Sequence, residues 1–169
     1  MSWLGIDIGG ANIKVADGAD YAASHFFPLW LRWRQLDEEL RRLIAEAPAT
    51  DHLAITMTGE LADCYENRDA GVLSILQAVE CAVDQRHTRI YLRDGRLVSI
   101  AVAQRSPQLV AAANWHALAR FAGRYAAQGP ALLIDIGSTS TDLIPLVDGI
   151  PTSTAQTDLD RLRVCELVY

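Results

Sequence analysis

The chain has 169 residues, of which 50% are hydrophobic and 21% charged, enough for one domain or slightly more with a buried core. Its net charge of −6 argues against a nucleic-acid or anionic-membrane surface. The sequence also lacks an apolar run of about 18 residues, so neither nucleic acid nor a membrane is an expected partner. The three cysteines, Cys64, Cys81 and Cys165, lie far apart without zinc-ligand spacing, so we expect reduced thiols and a cytoplasmic protein.

The first predicted element is a β-hairpin over residues 4–16, LGIDIGGANIKVA, in which an apolar strand carries Asp7 into a glycine turn. Glycines allow a ligand to approach closely, amides at the tip of a turn can hold an anion, and a neighbouring carboxylate can hold a divalent cation. The pattern therefore predicts phosphate and Mg²⁺ binding, with an ordinary Gly-Gly hairpin turn as the alternative. The predicted phosphate-binding residues here are Gly9, Gly10, Asn12 and Lys14.

Lys14 is the only lysine in the sequence, whereas every other basic side chain is an arginine. A lysine ammonium is a compact point charge on a flexible stem, which suits contact with a phosphate group. This observation supports anion binding by the first hairpin.

Between this hairpin and residue 129 the pattern alternates strands and helices. The predicted elements are a strand at 21–29, a helix at 36–47, a strand at 52–58, a helix at 69–83, a hairpin of strands 88–92 and 97–102, and a long Ala-rich helix at 107–127. Glu60 follows the strand at 52–58, and α/β sheets place ligands at the carboxyl ends of their strands. Glu60 is therefore a candidate for substrate contact or for a general base.

The hairpin has a second copy at residues 132–143, LLIDIGSTSTDL. An alignment of Asp7 with Asp135 also aligns the turn glycines, and it places Asp142 at the position of Lys14. The second turn adds three predicted phosphate-binding residues, Gly137, Ser138 and Thr139. Gly129 and Pro130 separate this copy from the preceding chain, so we expect domains at residues 1–129 and 130–169, the latter ending in a helix that begins near residue 157.

The two hairpins resemble the phosphate motifs of the actin, sugar-kinase and heat-shock-chaperone ATPase superfamily. Three further segments, residues 56–72, 112–121 and 157–169, resemble hydantoinase A-related synthases of methanofuran-type cofactors, which act in tetrahydromethanopterin-linked one-carbon metabolism. The resemblance implies an α/β fold of the ribonuclease-H-like, actin-like ATPase type, with an antiparallel first hairpin and a mixed sheet. Because that superfamily has two domains of similar size, we expect the second domain to be truncated here.

The resemblance also implies a transferase that joins the phenol of a γ-glutamyl-tyramine compound to an aminomethylfuran-methyl diphosphate and releases diphosphate. The residues that it implies are Asp7, Lys14, Glu60 and Asp142 for catalysis, Asp7 and Asp135 for Mg²⁺, and Asn114 and Arg161 for substrate binding. Two alternatives remain, an ATP-dependent small-molecule kinase of the same fold and a truncated non-catalytic module. An unpaired strand edge in the C-terminal hairpin predicts a homodimer.

Overall fold

The structure is a computed structural model that describes residues 2–84, 86–137, 140–155 and 157–168. The chain divides into two compact units, Met1–Asn114 and Trp115–Tyr169. This division falls earlier than the domain boundary expected at Gly129, and the assignment of family domains to the two units stays a prediction.

A mixed six-stranded sheet forms the centre of the first unit. Its strands are β1 (Trp3–Ile8), β2 (Asn12–Ala16), β3 (Ala22–Phe26), β4 (His52–Met57), β5 (His87–Tyr91) and β6 (Leu97–Val98), in the spatial order β3-β2-β1-β4-β5-β6. β1, β2 and β3 are antiparallel, β4 pairs in parallel with both β1 and β5, and β6 is antiparallel to β5. The predicted α/β class, with an antiparallel first hairpin and a mixed sheet, is confirmed.

Helices of the first unit follow from the spacing of their apolar residues. They are α1 (Leu29–Arg32), α2 (Leu36–Glu46), α3 (Arg68–Ala82), α4 (Ile100–Ala103) and α5 (Pro107–Val110). Leu36, Leu40, Leu43 and Ile44 recur at helical spacing, and all four are buried in the core of the unit. No helix within the described residues is both long enough and apolar enough to span a membrane.

Three predicted elements are wrong in extent. The strand expected at residues 21–29 ends at Phe26, and α1 begins at Leu29. The strand expected at residues 97–102 stops at Val98, and α4 begins at Ile100, because a short apolar run does not distinguish strand from buried helix. The long helix expected at 107–127 is interrupted, because Ala112 adopts a positive φ of 47° and the Leu109 carbonyl accepts a hydrogen bond from the Arg93 amide at 2.8 Å. Tertiary packing thus overrides the helix propensity of alanine in this segment.

The second unit contains a smaller antiparallel sheet. Its strands are β7 (Pro130–Ile136), β8 (Thr141–Val147), β9 (Ile150–Pro151) and β10 (Leu167–Val168); β8 lies between β7 and β10 and also pairs with β9. Its helices are α6 (Asn114–Ala122), which begins at the last residue of the first unit, and α7 (Asp158–Arg163). Trp115, Ala119, Ile144 and Leu146 form its small buried core.

Candidate functional site

The two glycine hairpins have the same strand register. Asp7 pairs with Lys14 across β1 and β2, and Asp135 pairs with Asp142 across β7 and β8. These are the positions that the sequence alignment of the two copies places together. The repeat in the sequence is therefore also a repeat in the structure. The second strands of the two hairpins differ in charge, since β2 carries Lys14 where β8 carries Asp142.

Both turns are closed by a hydrogen bond from the first glycine. The Gly9 amide donates to the Asn12 carbonyl at 3.0 Å, and the Gly137 amide donates to the Ser140 carbonyl at 2.8 Å. A Cβ at Gly9 would lie 2.8 Å from the Asn12 carbonyl oxygen, so this close approach requires glycine. The Gly9 and Gly137 amides thus build the turns. Ser138 and Thr139, the other predicted phosphate contacts of the second turn, lie outside the described residues.

The amide of Gly10 is the better candidate for an anion donor in the first turn. Among the residues that the structure describes, it donates no hydrogen bond, whereas the Gly10 carbonyl accepts one from the Leu29 amide at 2.9 Å. The residue that begins α1 therefore fixes the turn through the Gly10 carbonyl, and the Gly10 amide remains available to donate to an anion. Asn12, the next predicted contact, is exposed at the start of β2.

Asp7 and Lys14 form an ion pair on the face of the sheet opposite the core. The Lys14 Nζ lies 3.6 Å from Asp7 Oδ2, and the two side chains are 65% and 22% exposed. Burial raises the pKa of the Asp7 carboxyl above its ordinary value, and the positive charge of Lys14 offsets part of that rise. A further positive charge next to Asp7 would favour the ionised carboxylate.

Thr56 is a candidate site residue that the sequence did not indicate. It lies beside Asp7 on the parallel neighbour β4. Asp7 Oδ1 and Thr56 Oγ1 are both buried, and neither has a hydrogen-bond partner among the described residues. Buried oxygens are normally satisfied, so two unsatisfied oxygens side by side fit a hard cation such as Mg²⁺. Only the parallel pairing of β1 and β4 reveals this neighbour, because a threonine in an apolar strand carries no signal of its own.

The described residues contain no group of three or more His, Cys, Asp or Glu side chains that could hold a metal ion. Mg²⁺ commonly takes only one or two carboxylates and completes its shell with water and phosphate oxygens. Asp135, the second predicted Mg²⁺ ligand, is exposed on β7 in the second unit.

Glu60 lies in a turn that packs against the first hairpin. The Thr58 amide donates to the Ile8 carbonyl at 2.9 Å, and a Cβ added at Gly59 would lie 3.2 Å from the Gly9 carbonyl oxygen. Glu60 itself is 1% exposed, and its Oε1 lies 3.5 Å from Arg68 Nε. The prediction that Glu60 follows β4 at its carboxyl end is confirmed, and its carboxylate is buried beside a cation.

In the second unit, Arg161 is the most deeply buried charged side chain described. Its Nη1 lies 2.6 Å from Asp142 Oδ1, its Nη2 donates to the Glu166 carbonyl at 3.0 Å, and its guanidinium lies 4.3 Å from the ring centre of Trp115. Arg161 lies on α7 with 2% of its surface exposed, and it contacts Asp142 on β8 and Trp115 on α6. These contacts hold the Asp142 carboxylate in one orientation.

The predicted site residues are distributed over both units. The first unit contains Asp7, Gly9, Gly10, Asn12, Lys14, Glu60 and Asn114, and the second contains Asp135, Gly137, Asp142 and Arg161. Asn114 is half-buried at the first residue of α6. Within the first unit, the strand register brings Asp7, Lys14 and Thr56 together, and the turn containing Glu60 lies against the Gly9 turn.

Residues 51–169 of the chain match the hydantoinase/oxoprolinase family. The chain belongs to this family. The matched segment includes the whole second hairpin and begins after the first one, so membership does not depend on the Gly9 turn. The hydantoinase relationship expected from the sequence is confirmed.

Two curated relatives of this family member have the same name, (4-{4-[2-(gamma-L-glutamylamino)ethyl]phenoxymethyl}furan-2-yl)methanamine synthase. The protein from Methanocaldococcus jannaschii is 37% identical over 171 residues, which cover 98% of this chain and 49% of that protein. The protein from Methanococcus vannielii is 55% identical over 38 residues, covering 22% of this chain and 17% of that protein. The chain thus spans about half the length of the longer match.

Proposed function

We propose that this hydantoinase-family protein is a transferase that forms the phenoxymethyl–furan ether present in the name of its relatives. The observation that carries the proposal is 37% identity to the Methanocaldococcus jannaschii synthase along nearly the whole chain. In the proposed reaction, the phenol oxygen of a γ-glutamyl-tyramine compound attacks the methylene carbon of an aminomethylfuran-methyl diphosphate. The new C–O bond forms, the bond to diphosphate breaks, and the phenol proton passes to a base. The product is an intermediate of a methanofuran-type one-carbon carrier.

We further propose that the first unit is a ribonuclease-H-like domain. Its three leading strands form an antiparallel meander, and β1 continues through β4 and β5 in parallel. The crossovers pass through α2 and α3, as parallel neighbours require. This order supports the actin-like assignment implied by the two hairpins.

The first hairpin is the proposed site for the leaving diphosphate. Departure of diphosphate requires neutralisation of developing charge more than covalent help. The Gly10 amide and the exposed Lys14 ammonium present positive charge at one end of the hairpin. Asp7 and Thr56 are the residues proposed to hold Mg²⁺, which when bound would supply further positive charge for the leaving group. Asp135 stays a predicted Mg²⁺ ligand of the second hairpin.

Two carboxylates are proposed acceptors for the phenol proton. Glu60 is buried in the turn next to the first hairpin, and Asp142 is held by Arg161 in the second. The internal contacts of Arg161 support a role in positioning Asp142, in addition to the substrate contact implied by resemblance. Asn114 remains a proposed substrate contact.

The free cysteines, Cys64, Cys81 and Cys165, support a reducing compartment such as the cytoplasm.

The proposal is tested by incubating the protein with Mg²⁺, the furan diphosphate and the γ-glutamyl-tyramine compound, and by measuring released diphosphate and the ether product. Binding of inorganic diphosphate with Mg²⁺ is measured separately by calorimetry. We expect Lys14→Ala to weaken diphosphate binding about tenfold or more, since it removes a charge-assisted contact. Arg163→Ala, which removes a comparably exposed cation, is the matched control and should bind normally.

Absence of diphosphate binding would contradict the assignment of the first hairpin. Binding without ether formation would contradict the proposed reaction. Phosphate transfer from added ATP to a small molecule would instead identify the protein as the ATP-dependent kinase of the same fold.

A further inference from the structure

Phe26 is an aromatic side chain at the end of β3 that is 70% exposed. Single exposed apolar side chains are common on proteins, and exposure by itself indicates no ligand. The position of Phe26 is distinctive, because the residues that follow it run beside the Gly10 turn. The Phe27 amide donates to the Ala11 carbonyl, and the Leu29 amide donates to the Gly10 carbonyl, both at 2.9 Å. Phe26 therefore lies at the border of the proposed diphosphate site.

The register of the first sheet places Phe26 on the face that carries the candidate diphosphate residues. Phe26 pairs with Asn12 across β3 and β2. Lys14 lies two residues beyond Asn12 on β2 and pairs with Asp7 on β1. Directly paired residues share a face of the sheet, as do alternate residues of one strand. Phe26 is thus on the face opposite the core, with its Cβ about 5 Å from that of Asn12.

The chemistry of the proposed reaction places the furan ring at the same turn. The diphosphate leaves a methylene carbon that is bonded directly to the furan ring, so a diphosphate held by the Gly10 amide and Lys14 keeps this ring close to the hairpin. Phe26 and Trp30 are the large apolar aromatic side chains exposed in the described part of the first unit. Phe26 is the one whose strand pairing puts it on the face that carries Lys14.

We propose that the ring of Phe26 packs against the furan ring of the diphosphate substrate. This inference rests on the proposed function and names a residue that selects the furan compound. Two aromatic rings in contact bury apolar area and gain further from offset or edge-to-face geometry. Inorganic diphosphate has no ring and gains nothing from Phe26. The residue therefore distinguishes the furan diphosphate from the free diphosphate ion.

The same contact acts on the charge that develops during the reaction. When the bond between the methylene carbon and the diphosphate oxygen breaks, both electrons leave with the diphosphate. Positive charge then spreads over the methylene carbon and the furan ring. The face of an aromatic ring attracts a cation. Phe26 stabilises this charge until the phenol oxygen supplies the electron pair of the new C–O bond and the phenol proton passes to a base.

Calorimetric titration in the presence of Mg²⁺, with inorganic diphosphate and separately with the furan diphosphate, distinguishes the ring contact from the phosphate contact. We expect Phe26→Ala to weaken binding of the furan diphosphate about tenfold and to leave binding of inorganic diphosphate unchanged. Phe26→Trp retains a flat aromatic face and should keep the furan affinity within about threefold of the parent. Lys14→Ala should weaken both ligands. Phe121→Ala is the matched control, since Phe121 is 52% exposed on α6, and it should bind both ligands normally.

The effect on developing charge is measured by ether formation at saturating substrate. Phe26→Leu retains apolar area without an aromatic face, so it should bind the furan diphosphate nearly as the parent does and form the ether about tenfold more slowly. An unchanged rate in Phe26→Leu would overturn the role of Phe26 in stabilising this charge.

The ring contact is overturned if Phe26→Ala leaves binding of the furan diphosphate unchanged, weakens both ligands equally, or has no larger effect than Phe121→Ala. Failure of the parent to bind either ligand would overturn the inference together with the diphosphate site. Furan-selective binding that depends on Phe26, without ether formation, would support the ring contact and contradict the proposed reaction. Circular dichroism of Phe26→Ala separates lost binding from lost folding, and an exposed position predicts a native spectrum.

Discussion

Gly71 of α3 controls how closely this helix approaches the turn that contains Glu60. A Cβ built at Gly71 would lie 2.3 Å from the Glu60 carbonyl oxygen and 2.9 Å from its carbonyl carbon. Both atoms belong to the backbone, so no side-chain rotation can relieve the clash. Gly71→Ala is therefore expected to push α3 and the Glu60 turn apart.

Two effects of Gly71→Ala oppose each other. Alanine is favoured over glycine inside a helix by about 1 kcal/mol. Restoring an ordinary contact distance requires a movement of about 1 Å, and inserting a methyl group into a packed site typically costs about 1–3 kcal/mol. The steric effect should win because the clash is with backbone. With a steric cost in the upper part of that range, about 2–3 kcal/mol, the net loss in the free energy of unfolding is about 1–2 kcal/mol.

Urea unfolding followed by circular dichroism measures this loss, and the melting temperature should fall by roughly 2–4 °C per kcal/mol for a chain of this size. Gly10→Ala is the control, because a Cβ at Gly10 would meet no atom within 4 Å, and its stability should stay near that of the parent. A Gly71→Ala protein as stable as the parent, or more stable, would refute the reasoning, since helix propensity would then have outweighed the clash.

Three further predictions concern charged or ionisable side chains. Arg161→Met should lower the free energy of unfolding by about 3 kcal/mol by leaving Asp142 without its buried cation, and a double variant with Asp142→Asn should recover part of the loss in urea unfolding. Asp7→Asn should stabilise the fold at neutral pH, because the raised pKa of Asp7 in the folded state means that the parent loses stability as this carboxyl ionises. Thermal melts of parent and variant measure the difference, and a higher melting temperature of the variant that persists below the ordinary carboxyl pKa would contradict this. Tyr65, whose pKa burial raises to about 12, should ionise after ordinary tyrosines in an ultraviolet pH titration, and Tyr65→Phe should remove that last step.

Much of the first hairpin was predictable because its signals are local. Alternating apolar residues indicate a strand, and the Gly9 turn can close only where glycine permits the approach to Asn12. The internal repeat predicted a second hairpin with the spacing of the first, and the structure pairs Asp135 with Asp142 in the register of Asp7 and Lys14. The extent of α2 was predictable for the same reason, since its leucines recur at helical spacing.

Other features required tertiary structure because they depend on residues distant in sequence. Thr56 joins Asp7 only through the parallel pairing of β1 with β4, and Arg161 is buried only because Trp115 and Asp142 enclose it. The break at Ala112 likewise reflects packing that overrides the preference of an alanine-rich segment for continuous helix.

The sequence by itself determined the two glycine hairpins, their shared register and the relationship to the hydantoinase family, since short-range patterns and motif similarity encode these properties. Tertiary structure alone decided that the apolar row of β1 is covered and the equivalent row of β7 is exposed. Each row consists of one leucine and two isoleucines, so the sequence of the rows cannot distinguish them; they are Leu4, Ile6 and Ile8 in β1 and Leu132, Ile134 and Ile136 in β7. The difference comes from the neighbouring strand and helices, which are present around β1 and not found around β7 among the described residues.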